Sequence, residues 1–216
     1  MKILIYNSGG GLGDSIQLFD LILSLSKKFG EESIYYLSAH NNHFDNALKG
    51  YNIVLNNVNS GIRFFGFRLW HLFTSKQKIL KKNLIDKFDL IIDLQSKLRN
   101  TLILKQIPHI NFYSSTFNFK FCNLKKDYVS TKYEIKNIIL NIEKLLNVTI
   151  PYEKYNLDLI DNKFFDEAKK LLPENNYIGL SITQGNMYRK KSWSLDKFIN
   201  LAKNISQTKK KPVFFI

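Results

Sequence analysis

Residues 89–100 read DLIIDLQSKLRN, and this stretch decides the fold class. Asp89 to Leu94 is a short, mostly apolar run, the signature of a strand buried on both faces. From about Lys97 to Gln106 the pattern turns helical, so strand and helix follow one another directly. The same alternation continues outward in both directions. Upstream, Lys2 to Asn7 (KILIYN) reads as a buried strand stopped by a glycine-rich turn. Between Asp14 and Phe29, Ile16, Leu18, Phe19, Ile22, Leu23 and Leu25 recur at roughly helical spacing. Ser33 to Ala39 (SIYYLSA) is a second strand and Asn52 to Val58 a weaker third; downstream, a strand at His109 to Ser114 precedes a helix from about Tyr133 to Leu146. Strands separated by helices pair in parallel, with helices on both faces of the sheet.

Near Pro151 the alternation restarts: helix at Lys163 to Leu172, strand at Tyr177 to Ile182, helix from Ser194 to about Ile205, strand at Lys211 to Ile216. The sequence therefore predicts two α/β domains, residues 1–150 and 151–216. A second domain of this kind normally takes about 100 residues or more, so the second is expected to be incomplete in this chain.

Composition narrows the function. The 216 residues are 44% hydrophobic and 14% aromatic, enough for a real core. Lys and Arg total 32 against 18 Asp and Glu, a formal charge of +14 that favours acidic ligands or surfaces. The single cysteine, Cys122, excludes a disulfide scaffold and a Cys-rich zinc site. No apolar stretch is long enough to span a bilayer, and no signal peptide is evident, so a cytoplasmic protein is expected.

Three segments carry polar groups where a strand hands over to a helix. The first is Ser8-Gly9-Gly10-Gly11-Leu12-Gly13-Asp14. Glycines such as Gly11 and Gly13 let a backbone approach a ligand closely, and the helix start offers free N–H groups. Counted from Gly9, the dinucleotide spacing fails, because Asp14 stands at its third glycine. Asp14 reads either as a helix cap, which spacing alone favours, or as a general base. The second segment is Asp93 to Asn100 at the end of the central strand, where ligands of open α/β sheets bind. Gln95 can hydrogen-bond a sugar hydroxyl, and Lys97 and Arg99 can meet anions; the plainer reading is a capped loop and a solvated helix face. The third runs from Thr183-Gln184-Gly185-Asn186 through Arg189-Lys190-Lys191-Ser192-Trp193. Its hydroxyl, glycine and consecutive cations suit a diphosphate, and equally a basic surface loop; Trp193 is expected to pack that loop on its domain.

Two further features are weaker. Ile62 to Phe73 (IRFFGFRLWHLF) reads as a buried helix with snorkelling cations, or alternatively as a membrane-surface segment. The four histidines, His40, His43, His71 and His109, lack the spacing of a helical metal site.

Together the three segments resemble the bacterial heptosyltransferases of glycosyltransferase family 9. The opening strand, small-residue loop and Gly13-Asp14 are similar to that family's first motif. Residues 89–100 resemble its DLxIDLQ…R(S/N) segment, and Lys191-Ser192-Trp193 its lysine–any–tryptophan motif. Ser194 and Gln184 depart from it, standing where prolines are usual. The family's later acidic residue and Asp–(Thr/Ser)–Gly…His segment have no counterpart in these residues.

The resemblance implies a GT-B architecture, two Rossmann-like domains facing each other across a cleft, the first taking the acceptor and the second the nucleotide sugar. It implies metal-independent, inverting transfer of heptose from ADP-heptose to an anionic lipopolysaccharide core, without a cofactor. By the same resemblance Asp14 is the base, Lys191 stabilises the departing diphosphate, and Thr183 and Asn186 contact phosphate. Gly11, Gly13, Gln95 and Arg99 are the remaining expected substrate contacts. Peripheral contact with the inner face of the cytoplasmic membrane is expected from the acceptor's location, and no nucleic-acid partner. A GT-B enzyme with another nucleotide-sugar donor is the nearest alternative. A noncatalytic nucleic-acid-binding protein rests only on the charge, and an NAD(P) enzyme is disfavoured by the glycine count.

Overall fold

The computed structural model describes residues 1–7, 11–38, 42–58, 67–83, 85–131, 134–182 and 193–215. These form two compact units, Met1–Leu159 and Ile160–Ile216.

The first unit is built on five parallel strands: β1 (Ile3–Asn7), β2 (Ile34–Ser38), β3 (Asn56–Asn57), β4 (Phe88–Asp93) and β5 (His109–Ser114). Their spatial order is β3-β2-β1-β4-β5. The helices are α1 (Leu12–Ile16), α2 (Phe19–Phe29), α3 (His71–Asn83), α4 (Leu98–Leu104) and α5 (Ile135–Leu146). Because side chains alternate along a strand, Ile3 and Ile5 enter a core with Leu21, Ile22, Ile139 and Ile142 of α2 and α5. Leu4 and Tyr6 enter the opposite core, with Ile79 of α3 and Ile103 and Leu104 of α4. Every residue of β1 is buried, which is why KILIYN is apolar without alternation.

Three elements differ from the sequence reading. The helix expected from Asp14 to Phe29 is divided at Gln17–Leu18 into α1 and α2. In a continuous helix the Leu18 N–H would bond the Asp14 carbonyl. Here the Asn7 side-chain amide donates to that carbonyl (3.2 Å), and the Leu18 N–H turns to Ser15 O (3.1 Å). A side chain inserted into the ladder is a recognised cause of a break. The third strand contracts to Asn56–Asn57, an exposed edge pair. The buried helix expected at 62–73 is not found in its described part. Phe67 and His71 are buried, but Leu69, Trp70 and Phe73 are 67%, 63% and 85% exposed, and the helix begins only at His71; residues 62–66 lie outside the described residues.

The segment from Pro151 to Leu159 packs on α2. The Tyr152 hydroxyl and the Tyr155 N–H donate to the Asp20 carboxylate (2.6 and 2.9 Å), and the Glu153 N–H to Ser24 Oγ (2.8 Å).

The second unit contains α6 (Asn162–Leu171), β6 (Tyr177–Ser181), α7 (Leu195–Ser206) and β7 (Lys211–Phe215). β6 and β7 pair in parallel, Tyr177 opposite Lys211 and Ser181 opposite Phe215. Its described buried apolar residues are Leu180 and Ala202. Both units thus carry the expected α/β architecture of parallel strands and intervening helices.

Candidate functional site

The order of the first sheet reverses between β1 and β4: the chain runs outward from β1 to β2 and β3, then returns to the other side as β4 and β5. At such a switch point the loops after the two central strands turn to opposite faces and leave a crevice beyond the strand ends. β1 ends there in Asn7 and β4 in Asp93, followed by Leu94 and Gln95.

Asn7 ties the two sides together. Its amide donates to the Asp14 carbonyl (3.2 Å), and its oxygen accepts the Gln95 side-chain amide (2.8 Å). The Tyr36 hydroxyl also bonds the side chains of Asn7, Ser15 and Ser38. Burial holds this phenol's pKa above its usual value, and the charge of nearby Asp14 raises it further. The first two segments singled out in the sequence therefore meet at one end of one sheet.

Asp14 occupies the third position of α1, whose N-cap is Gly11 in extended backbone (φ −90°, ψ 145°). The Asp14 side chain is exposed, in the first turn of this helix and not at its N-cap. It leans back over Gly11: a Cβ built there would lie 3.2 Å from Asp14 Oδ2. Gly13 faces open space, with nothing within 4 Å of a built Cβ. Among the described glycines only Gly30 has a positive φ, so the roles left to Gly11 and Gly13 are small size and access. The helix behind this loop has five residues, so its dipole is small. The result is an exposed carboxylate over a small-residue floor, beside a buried amide and hydroxyl network.

Asp93 is the opposite kind of carboxylate, 1% exposed. Oδ1 accepts the Gln95 N–H (3.0 Å), and Oδ2 accepts the hydroxyls of Thr101 (2.6 Å) and Ser114 (2.9 Å). Thr116 Oγ1 lies 2.8 and 2.9 Å from those two hydroxyls. Burial raises the Asp93 pKa, while the three donors pull it back. This cluster fixes the start of the β4–α4 turn, where Ser96 adopts a left-handed φ of 49° and its hydroxyl meets that of Ser115. From this turn Lys97 and Arg99 project into solvent. Arg99 Nε reaches its neighbour Asn100 Oδ1 at 3.5 Å.

Thr183, Asn186 and Lys191 lie outside the described residues, as does the rest of 183–192. Trp193 is described: it is 56% exposed, with its ring 5.6 Å from that of Phe198 in α7. Among the described residues no three His, Cys, Asp or Glu are grouped as metal ligands. His71 Nδ1 accepts the Arg68 N–H (2.7 Å), and His109 Nδ1 lies 2.6 Å from Ile107 O, both local structural bonds.

Sequence reasoning missed Asn7, Tyr36 and the hydroxyl trio of Thr101, Ser114 and Thr116. Asn7 had a signal: a polar residue closing an otherwise apolar strand marks the strand's functional end. The trio had none, since it depends on the β4–β5 register that sets Asp93 opposite Ser114.

No protein-family model matches the sequence, and no curated protein matches it. Solved structures match in fold. A glycosyl transferase family 9 protein from Veillonella parvula DSM 2008 superposes with a TM-score of 0.59 at 18% identity, over 99% of this chain and 62% of that one. E. coli heptosyltransferase WaaC with ADP gives 0.58 at 11% identity, over 99% and 67%. The same enzyme with ADP-2-deoxy-2-fluoro heptose gives 0.55 at 11%, over 99% and 68%. The chain thus has the α/β fold of these glycosyltransferases and spans less than two thirds of the first one's length. No described helix is long and apolar enough to cross a membrane.

Proposed function

We propose that this chain belongs to an inverting glycosyltransferase that moves heptose from ADP-heptose to an anionic lipopolysaccharide core acceptor. The observation that carries the reading is the Asp14 carboxylate, exposed at the β1–β4 switch point beside the Asn7–Gln95 pair. The likeness to transferases solved with ADP and with a fluoro-heptose donor supports the donor class.

In this reading Asp14 takes the proton of the attacking acceptor hydroxyl as that oxygen bonds to the anomeric carbon. The bond from that carbon to the diphosphate breaks on the opposite side, so configuration inverts. Lys191, with Thr183 and Asn186 as further phosphate contacts, stabilises the negative charge that develops on the leaving ADP. Gln95 and Arg99 hold the acceptor, Gln95 already oriented by Asn7. Residues 1–150 serve the acceptor and 151–216 the donor, at the membrane's cytoplasmic face.

The test is transfer by the enzyme carrying Asp14→Asn, assayed with ADP-heptose and a core-truncated acceptor. Turnover is expected to fall by about a hundredfold or more, with thermal stability unchanged. Retained turnover overturns the role of Asp14. Activity with a different nucleotide sugar, and none with ADP-heptose, replaces the donor.

A further inference from the structure

After β5 the chain runs from Ser115 through an irregular excursion before α5 begins at Ile135. Phe117, Asn118 and Phe119 have φ of 49°, 53° and 63°, three consecutive left-handed residues without a glycine. For the two phenylalanines this costs about 1–2 kcal/mol each relative to the right-handed form, so the surrounding structure must hold them.

It does so from several sides. Lys105 Nζ donates to Phe121 O (3.0 Å), and Asn123 Nδ2 to Ile110 O (3.0 Å). Asn141, fully buried on α5, accepts the Val129 N–H (2.7 Å) and donates to Val129 O (2.8 Å). The Tyr128 hydroxyl donates to Leu124 O (2.8 Å), and the Phe119 ring packs between Tyr128 and Tyr113 at 5.0 and 6.0 Å.

The outer side of this pinned excursion carries a solvent-open pocket of about 590 Å³ lined by half-buried Phe119 and Tyr128 and by exposed Asn118, Lys120, Lys125, Lys126 and Asp127. That volume suits a small molecule. Among the described residues none of the three lysines has a carboxylate within 4 Å. A fourth cation, Lys144, donates to the Asp127 main-chain oxygen at 2.5 Å. Three ammonium groups against one carboxylate leave the pocket positive. Its rings already pack on one another, so they do not offer a stacking slot for a nucleobase.

We propose that residues 117–128 form a preorganised site for a saccharide bearing a phosphate or carboxylate group. The lysines carry the anion half of the proposal; the saccharide half rests on the transferase reading above. Strain held in place beside an unneutralised cation cluster is the arrangement expected of a binding loop that must not reorganise when its ligand arrives.

The test is calorimetric titration of the 216-residue protein with glucose 6-phosphate, glucuronate, glucose and inorganic phosphate. Saturable binding of one or both charged sugars, weakening with salt, is expected, and none of glucose. Comparing the two charged sugars separates phosphate from carboxylate recognition. Lys120→Gln, Lys125→Gln and Lys126→Gln together should weaken binding by about tenfold or more. Lys169→Gln, Lys170→Gln and Lys203→Gln, equally exposed on α6 and α7, should leave it unchanged. Equal loss in both triple variants, or no saturation, overturns the site. Inorganic phosphate binding as tightly as glucose 6-phosphate overturns the saccharide half. Binding is read without transfer, so loss of the anion site in this titration and loss of turnover in the transfer assay are told apart.

Discussion

Asp14 and Asp93 sit at the same end of one sheet under opposite conditions, and their substitutions should part company. Asp93 is buried, and its folded pKa lies above the ordinary 3.8. Below the unfolded value both states hold the proton, and this residue's contribution is fully present. As pH rises from about 4, the unfolded chain releases its proton first, so that contribution is lost as pH climbs through the folded pKa. Asp93→Asn removes the titration and mispairs donors, at a cost of about 1–3 kcal/mol. Urea midpoints measured from pH 4 to 7 should show wild type losing ground relative to the variant as pH increases; parallel curves would mean that Asp93 does not titrate there. For Lys191, a charge-assisted contact to diphosphate contributes about 1.5–3 kcal/mol. On the proposed donor role, Lys191→Ala should thus lower kcat/KM by about one to two powers of ten; unchanged kinetics in a folded variant would overturn that role.

At the scale of elements, the strands and the second-unit helices were largely legible, because an apolar run between turn signals leaves a parallel strand little alternative. β1, β4 and β5 fall within a residue or so of where their apolar runs end. The division of α1 from α2 was not legible, since Asn7 acts on Asp14 across the turn and periodicity records only each helix's own faces. The same bond makes a prediction. Asn7→Ala frees the Asp14 carbonyl to accept Leu18 N–H, and it also removes the Gln95 amide's acceptor and one of the three partners of the Tyr36 hydroxyl. Stability should fall by about 1–3 kcal/mol. Amide exchange at Leu18 should slow relative to its neighbours as the ladder becomes continuous. Faster exchange across all of residues 12–22 would show that Asn7 supports these helices rather than interrupting them. Of the candidate site, Asp14 and Gln95 were readable as polar residues in βα loops, whereas their connection through Asn7 required the register of β1 against β4.

For the whole molecule, stability resides in the first unit. All the described buried apolar residues except Leu180 and Ala202 lie before Leu159, and α6 presents Phe164, Phe165 and Leu171 at 46%, 46% and 81% exposure. Residues 1–159 expressed alone should therefore unfold in one cooperative transition at the midpoint of the 216-residue chain. Shortening the fragment to residues 1–150 should not be neutral. It removes the bonds of Tyr152 and Tyr155 to Asp20 and of Glu153 to Ser24. It also removes the Tyr155 ring, 4.8 Å from that of buried Phe19. Three hydrogen bonds of about 0.5–1.5 kcal/mol each and an aromatic contact of about 0.5–1.5 kcal/mol amount to about 2–6 kcal/mol. The Lys27–Glu153 pair (2.7 Å) is exposed at both ends and adds little. Urea unfolding of the two fragments side by side measures the difference. A lower midpoint for 1–150 assigns residues 151–159 to the first folding unit, and coincident curves would place the functional boundary back at Pro151.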